Sequence, residues 1–191
     1  DLLGVGIVTV QQVARVLEHE GLLAVKRGPG GGYYGARPDE AALERAFDTY
    51  MRVHGFGYMD AMEMMVLLDC EFIPRAACIE DASFRASIKS LIEKVERTER
   101  QEERVQIEIE FRDLLFAVVD RPFIQLLARV TMHTTELYQT HERTPMFMDQ
   151  LTIENWKTAR LRIFHAIIQG DEGLARFEAY RFRDFLLPKL K

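Results

Sequence analysis

Thr9-Val-Gln-Gln-Val-Ala-Arg-Val-Leu-Glu-His-Glu-Gly21 runs without a spacer into Leu22-Leu-Ala-Val-Lys-Arg27 and then into Gly28-Pro-Gly-Gly-Gly-Tyr-Tyr34. The first stretch carries helix signals at both ends. The Thr9 hydroxyl can cap an N-terminus, Gln12 can reach back to the Thr9 amide, and Gly21 stands where a left-handed residue ends a helix. Val10, Val13, Ala14 and Leu17 recur at helical spacing on one face, with Gln11, Gln12 and Arg15 off it. After Gly21 the pattern changes to two short strand-like pieces, Leu22–Val25 and Tyr33–Tyr34, around a glycine turn free to take positive φ. Lys26 and Arg27 suit phosphate, and a Gly30–Gly31 tip without side chains can enter a groove. The stretch lacks the Lys-Ser/Thr pair that makes a nucleotide-binding loop.

A helix handed directly to a basic hairpin is the layout of the back half of a winged helix-turn-helix. It predicts contact with double-stranded DNA through Thr9, Gln11, Gln12, Arg15, Lys26, Arg27, Gly30 and Gly31. The plainer alternative is a small helix-plus-hairpin with no ligand. Leu3-Gly-Val5, Thr9-Val10, Leu17-Glu-His-Glu-Gly-Leu22 and Arg27-Gly-Pro-Gly-Gly-Gly32 together resemble the end of a GntR-family DNA-binding domain. The branch resembled is the one whose second domain is an all-helical effector-binding bundle of the FadR (FCD) type. The resemblance implies a homodimeric transcription regulator, with further helices ahead of Leu3. Where the family pattern commonly has operator-contacting arginines, this chain has Ile7 and Gln11, which removes charge that neutralises phosphate. Gln11 or Gln12 can still read adenine through its amide.

The 191 residues are 48% hydrophobic and 29% charged, enough for one good-sized core and a small satellite domain. No apolar run approaches the roughly 20 residues of a membrane helix, and the start is not a signal peptide, so a cytoplasmic protein without a membrane partner is expected. Residues 1–37 hold Arg15, Lys26, Arg27 and Arg37 against Asp1, Glu18 and Glu20, a net of +1, which leaves −6 of the total −5 for residues 38–191. The acidic part is not expected to touch nucleic acid. Pro38 pushes Arg37 out of helical geometry and marks the boundary. The expected division is a partial winged-helix domain over 1–37 and a helical effector-binding and dimerisation domain over 38–191.

Beyond that boundary the pattern is helical to the end. One helix opens at Pro38 or Asp39 and closes near His54 before Gly55-Phe-Gly57. The next starts at Asp60 and contains Pro74, which removes one of its backbone bonds. Ser83 to about Gln101 carries the apolar stripe Phe84, Ile88, Leu91 and Val95. Val105–Val119, Phe123 to about Thr140, Asp149 or Thr152 to Gln169, and Asp171–Leu187 follow. The fold class expected is mainly α: a partial winged helix-turn-helix with a short β-hairpin, followed by a six- or seven-helix antiparallel bundle.

Catalytic chemistry finds no footing. The five histidines, His19, His54, His133, His141 and His165, form no Glu-x-x-His pair and no nucleophile–base arrangement. No catalytic residue and no cofactor is expected. Cys70 and Cys78 lie eight residues apart in a helical pattern, roughly 12 Å and beyond disulfide reach, and are read as buried thiols. Met59, Met62, Met64 and Met65 are read as core filling, with an adaptable ligand surface as the alternative.

Metal-binding bundles of the FadR type place an aspartate and a histidine one turn apart, and two further histidines on the last two helices, around a divalent cation. Matching Phe111, Asp120-Arg-Pro122 and Ala166-Ile-Ile-Gln-Gly-Asp171 puts those positions at Glu108, Arg112, Arg160 and Phe182. Guanidinium groups repel a cation and a phenyl ring cannot ligate one, so no metal is expected. Glu108 and Arg112 can pair at i, i+4, and Arg160 can join them from another helix. Two outcomes stay open: a closed ion-pair network, or a clamp for a small anionic metabolite anchored by Glu108, Arg112 and Arg160. The function expected is a ligand-responsive regulator, a repressor, that binds operator DNA. The alternative is a metabolite-binding or interaction protein whose DNA-reading half has decayed.

Overall fold

The computed structural model describes residues 4–37, 39–141 and 153–190. The chain forms two compact units, Asp1–Gly55 and Phe56–Lys191. The sequence places a boundary at Arg37–Pro38, and Pro38 lies outside the described residues.

Gly6, extended at φ −68° and ψ 153°, opens α1 (Ile7–His19), and the Val10 amide closes the first turn on the Gly6 carbonyl at 3.2 Å. Thr9 is therefore the third helical residue and not the cap, and no side-chain hydrogen bond caps this end. The chain turns helical three residues early, carrying Ile7, Val8 and Thr9 in against the modest propensity of β-branched residues. The other end matches the sequence. Gly21 takes φ +70°, with its amide on the Glu18 carbonyl at 3.1 Å and the Leu22 amide on Leu17 at 2.8 Å, a double closure that satisfies orphan carbonyls and turns the chain into β1 (Leu23–Lys26). β1 pairs antiparallel with β2 (Gly32–Gly35), in a register from Leu23 opposite Gly35 to Lys26 opposite Gly32. Ala14 is buried and Val10 and Leu17 are half-buried, whereas Val13 is exposed. Helix α2 (Glu40–Val53) is capped by Asp39, whose carboxylate accepts the Ala42 amide at 2.8 Å, and it stops before Gly55 at φ +74°.

The second unit contains α3 (Tyr58–Ala77), α4 (Ala82–Arg97), α5 (Gln101–Val118), α6 (Pro122–His141), α7 (Ile153–Gln169), α8 (Glu172–Leu186) and a 3-10 turn, Leu187–Lys189. The start predicted at Asp149 or Thr152 lies outside the described residues. Counted with α2, seven helices follow the hairpin among the described residues, six of them in this unit. Carboxylates set the helix starts: Asp81 accepts the Phe84 amide at 2.7 Å, and Asp171 accepts the Leu174 amide at 2.8 Å. Asp60 accepts the Gly57 amide at 2.8 Å, so α3 starts two residues before the predicted Asp60.

α3 is the central element. It packs on α5, α6, α7 and α8 and accommodates a buried Pro74. α4 presents Phe84, Ile88, Leu91 and Val95, all buried as predicted, and packs on α5 and α7. Phe111 of α5 meets Phe164 of α7 edge-on at 4.7 Å. Arg85 ties two helix ends together, donating from Nε to the Ile79 carbonyl at 3.2 Å and from Nη1 to Ile168 at 3.0 Å. Met65 is core, Met59 and Met62 pack beside Tyr58 and Leu190, and Met64 is exposed. Cys70 is buried, but Cys78 is exposed, because it sits at the end of α3 beyond the packed stripe. No described helix is long and apolar enough to cross a membrane.

Candidate nucleic-acid face and buried charge cluster

In the first unit, Gln11 and Arg15 lie one turn apart on the same exposed face of α1, with Gln12 beside them. Thr9 is exposed too, but about 160° around the helix from Gln11, so it does not share that face. Lys26 ends β1, and Arg27 begins the turn; both are exposed. Gly28 and Gly30 take φ +99° and +75°, which side chains resist. Gly31 is required for space: a Cβ there would lie 2.3 Å from the Lys26 carbonyl oxygen and 2.8 Å from that of Gly28. Tyr34, not singled out in the sequence, fastens the tip by donating its hydroxyl to the Gly30 carbonyl at 3.0 Å. Ile7 is 70% exposed in the first turn of α1.

The second unit gathers Glu108 and Arg112 on α5, Arg160 and Trp156 on α7, and Asp69 on α3. Arg160 grips Glu108 with a two-pronged bond, Nε to Oε1 and Nη2 to Oε2, each 2.6 Å. The Trp156 indole N–H donates to Oε1 at 2.6 Å. Arg112 faces Asp69 in the same forked manner at 3.4 and 3.2 Å. Cross-links close the ring: Arg112 to Glu108 at 3.5 Å and Arg160 to Asp69 at 3.5 Å. Two guanidinium groups thus meet two carboxylates. Arg160 is 1% exposed, and its Cζ stacks 4.6 Å from the Phe182 ring and 5.4 Å from that of Phe111.

Burial pushes the Glu108 carboxyl upward, but Arg160 and then Arg112 more than reverse this, and its pKa falls to about 2. Burial likewise works against the charge on Arg112, and Asp69 and Glu108 overcome it and raise its pKa. One donor is left over. The Nη1 of Arg160 is buried without a hydrogen-bond partner among the described residues. Glu108, Arg112 and Arg160 therefore come together as the sequence pairing suggests. Asp69 was missed, although a lone carboxylate inside the apolar run Met65-Val-Leu-Leu-Asp-Cys70 is a signal of a buried ion pair. Trp156 was missed because an indole donor carries no pattern. Among the described residues no three His, Cys, Asp or Glu side chains gather to hold a metal.

A helix, a hairpin and a helical bundle in this order define a GntR-like fold. Four chains of solved structures match it. One is Streptococcus agalactiae GntR, similar over 97% of this chain and 83% of that chain, at 16% identity and a TM-score of 0.56. No family model matches the sequence, and no curated protein matches it.

Proposed function

We propose that the chain is a ligand-responsive transcription regulator, a non-enzyme that reads double-stranded operator DNA through the first unit and binds a small organic anion in the second. The observation that carries the DNA half is the closed turn at Gly21, which joins a helix displaying Gln11, Gln12 and Arg15 to a hairpin displaying Lys26, Arg27 and a tip in which Gly31 leaves no room for a side chain. A glutamine amide on a groove-lying helix reads base edges, and the hairpin cations meet phosphate. DNase footprinting of the full-length protein on its own upstream DNA tests this, with one protected stretch expected and uniform cleavage as the contrary result.

The anion half rests on Arg160. A buried donor left unmade costs about 1–3 kcal/mol, which an incoming carboxylate relieves. Such a ligand alters operator affinity only by binding one conformation of the helical unit better than another. We place the protein in the cytoplasm as a homodimeric repressor of this kind, in line with the GntR-like fold. Calorimetric titration with an organic-acid library should find one acid that binds the natural protein and not Arg112→Ala; equal affinity for both removes the site. The exposed Ile7 favours a second reading, in which the protein binds metabolite and its DNA-reading half has decayed. Metabolite binding without a footprint selects it.

A further inference from the structure

In the metal-binding kind of the FadR-type bundle that the sequence resembles, a divalent cation is held at the places matched by positions 108, 112, 160 and 182. The structure allows a test of fit. All four side chains converge: Glu108 lies 2.6 Å from Arg160 and 3.5 Å from Arg112, and the Phe182 ring lies 4.6 Å from the Arg160 Cζ. The donor set does not suit a metal. Glu108 alone offers an oxygen, and both of its oxygens are already engaged by Arg160. Two of the other positions carry permanent positive charge, and the last is a ring without a lone pair. Asp69 adds a second carboxylate, but its oxygens face Arg112.

The three departures fit one another. Glu108 and Asp69 bring two negative charges, and Arg112 and Arg160 bring two positive charges, the same charge as one divalent ion. Phe182 supplies the aromatic face on which the Arg160 guanidinium rests, which an imidazole directed at a metal would not provide. The geometry points to the replacement of one cation by another: Arg160, assisted by Arg112, stands in the place of the divalent cation, ties α3, α5, α7 and α8 together, and leaves no set of free ligand atoms for a metal there. The replacement holds whether or not the first unit binds DNA.

The test has two arms. For the natural protein purified without chelator, elemental analysis should find less than stoichiometric Zn, Mn, Fe and Ni, and thermal melts should coincide with and without EDTA or added ZnCl2. The reverse conversion, Arg112→His with Arg160→His and Phe182→His, keeps Glu108. It should melt below the natural protein in EDTA and regain about 5 °C or more with excess Zn2+. One tightly held metal per natural chain, or a chelator-induced fall in its melting point, overturns the inference. So does a triple variant indifferent to Zn2+, whether it is folded or not.

Discussion

Arg27 at the hairpin and Arg160 in the bundle carry the same guanidinium into opposite surroundings. Arg27 stands in water at the edge of a turn held by glycines, whereas Arg160 is 1% exposed, forked onto Glu108 and stacked on Phe182. An exposed charge contributes little to stability. A buried charge must be answered by the protein's own groups, as Glu108 and Asp69 answer Arg160. The contrast separates the halves: the first unit leaves Lys26 and Arg27 exposed, and the second closes Arg112 and Arg160 onto its own carboxylates.

The largest effect expected on this contrast comes from Arg160→Met. It leaves Glu108 buried without its main partner and should cost about 3–5 kcal/mol in urea unfolding, whereas Arg27→Ala should stay within about 0.5 kcal/mol. Equal losses would erase the distinction. Acid comes next. Because the folded pKa of Glu108 is depressed to about 2 from 4.5, its stabilisation is complete above pH 4.5 and is lost as pH falls from there to about 2. That window is worth on the order of 3 kcal/mol. Trp156, the only tryptophan, bonds to Glu108 and reports the change, so its emission should shift in this range and not in Glu108→Gln.

Gly31→Ala should act locally. The added methyl meets two backbone oxygens and not a movable side chain, so the tip must distort, at about 1–3 kcal/mol. Amide exchange should quicken over 27–34 and remain unchanged in α3–α8; a spread into the bundle would show that the units are not separate in stability. The smallest effect concerns the thiols. Burial, with Asp69 adding to it, pushes Cys70 up to about 11, while Cys78 is exposed and raised by a slight desolvation and its bond to Glu172. A thiol reagent at pH 8 should label Cys78 first and Cys70 only on unfolding.

Local signals in the sequence were legible where one residue decides one turn. Asp39, Asp171 and Gly21 each close a helix end in a way their chemistry allows, and the stripe Phe84–Val95 is buried at every position. Thr9 misled because a better-placed backbone conformation at Gly6 outran a good capping side chain. Asp69 and Arg112 are 43 residues apart, and nothing in local spacing records such a pair. Phe182 entered only through the resemblance. Its role as a platform for Arg160 needed the packed helices.

The most direct measurement is DNA affinity of the full-length protein by fluorescence anisotropy as a function of salt, for the natural chain and for Lys26→Ala with Arg27→Ala. The account predicts tight binding that weakens with salt, and a slope of log K against log[salt] shallower by about 2 in the variant. Binding absent at every salt concentration, or an identical slope in both proteins, would contradict it.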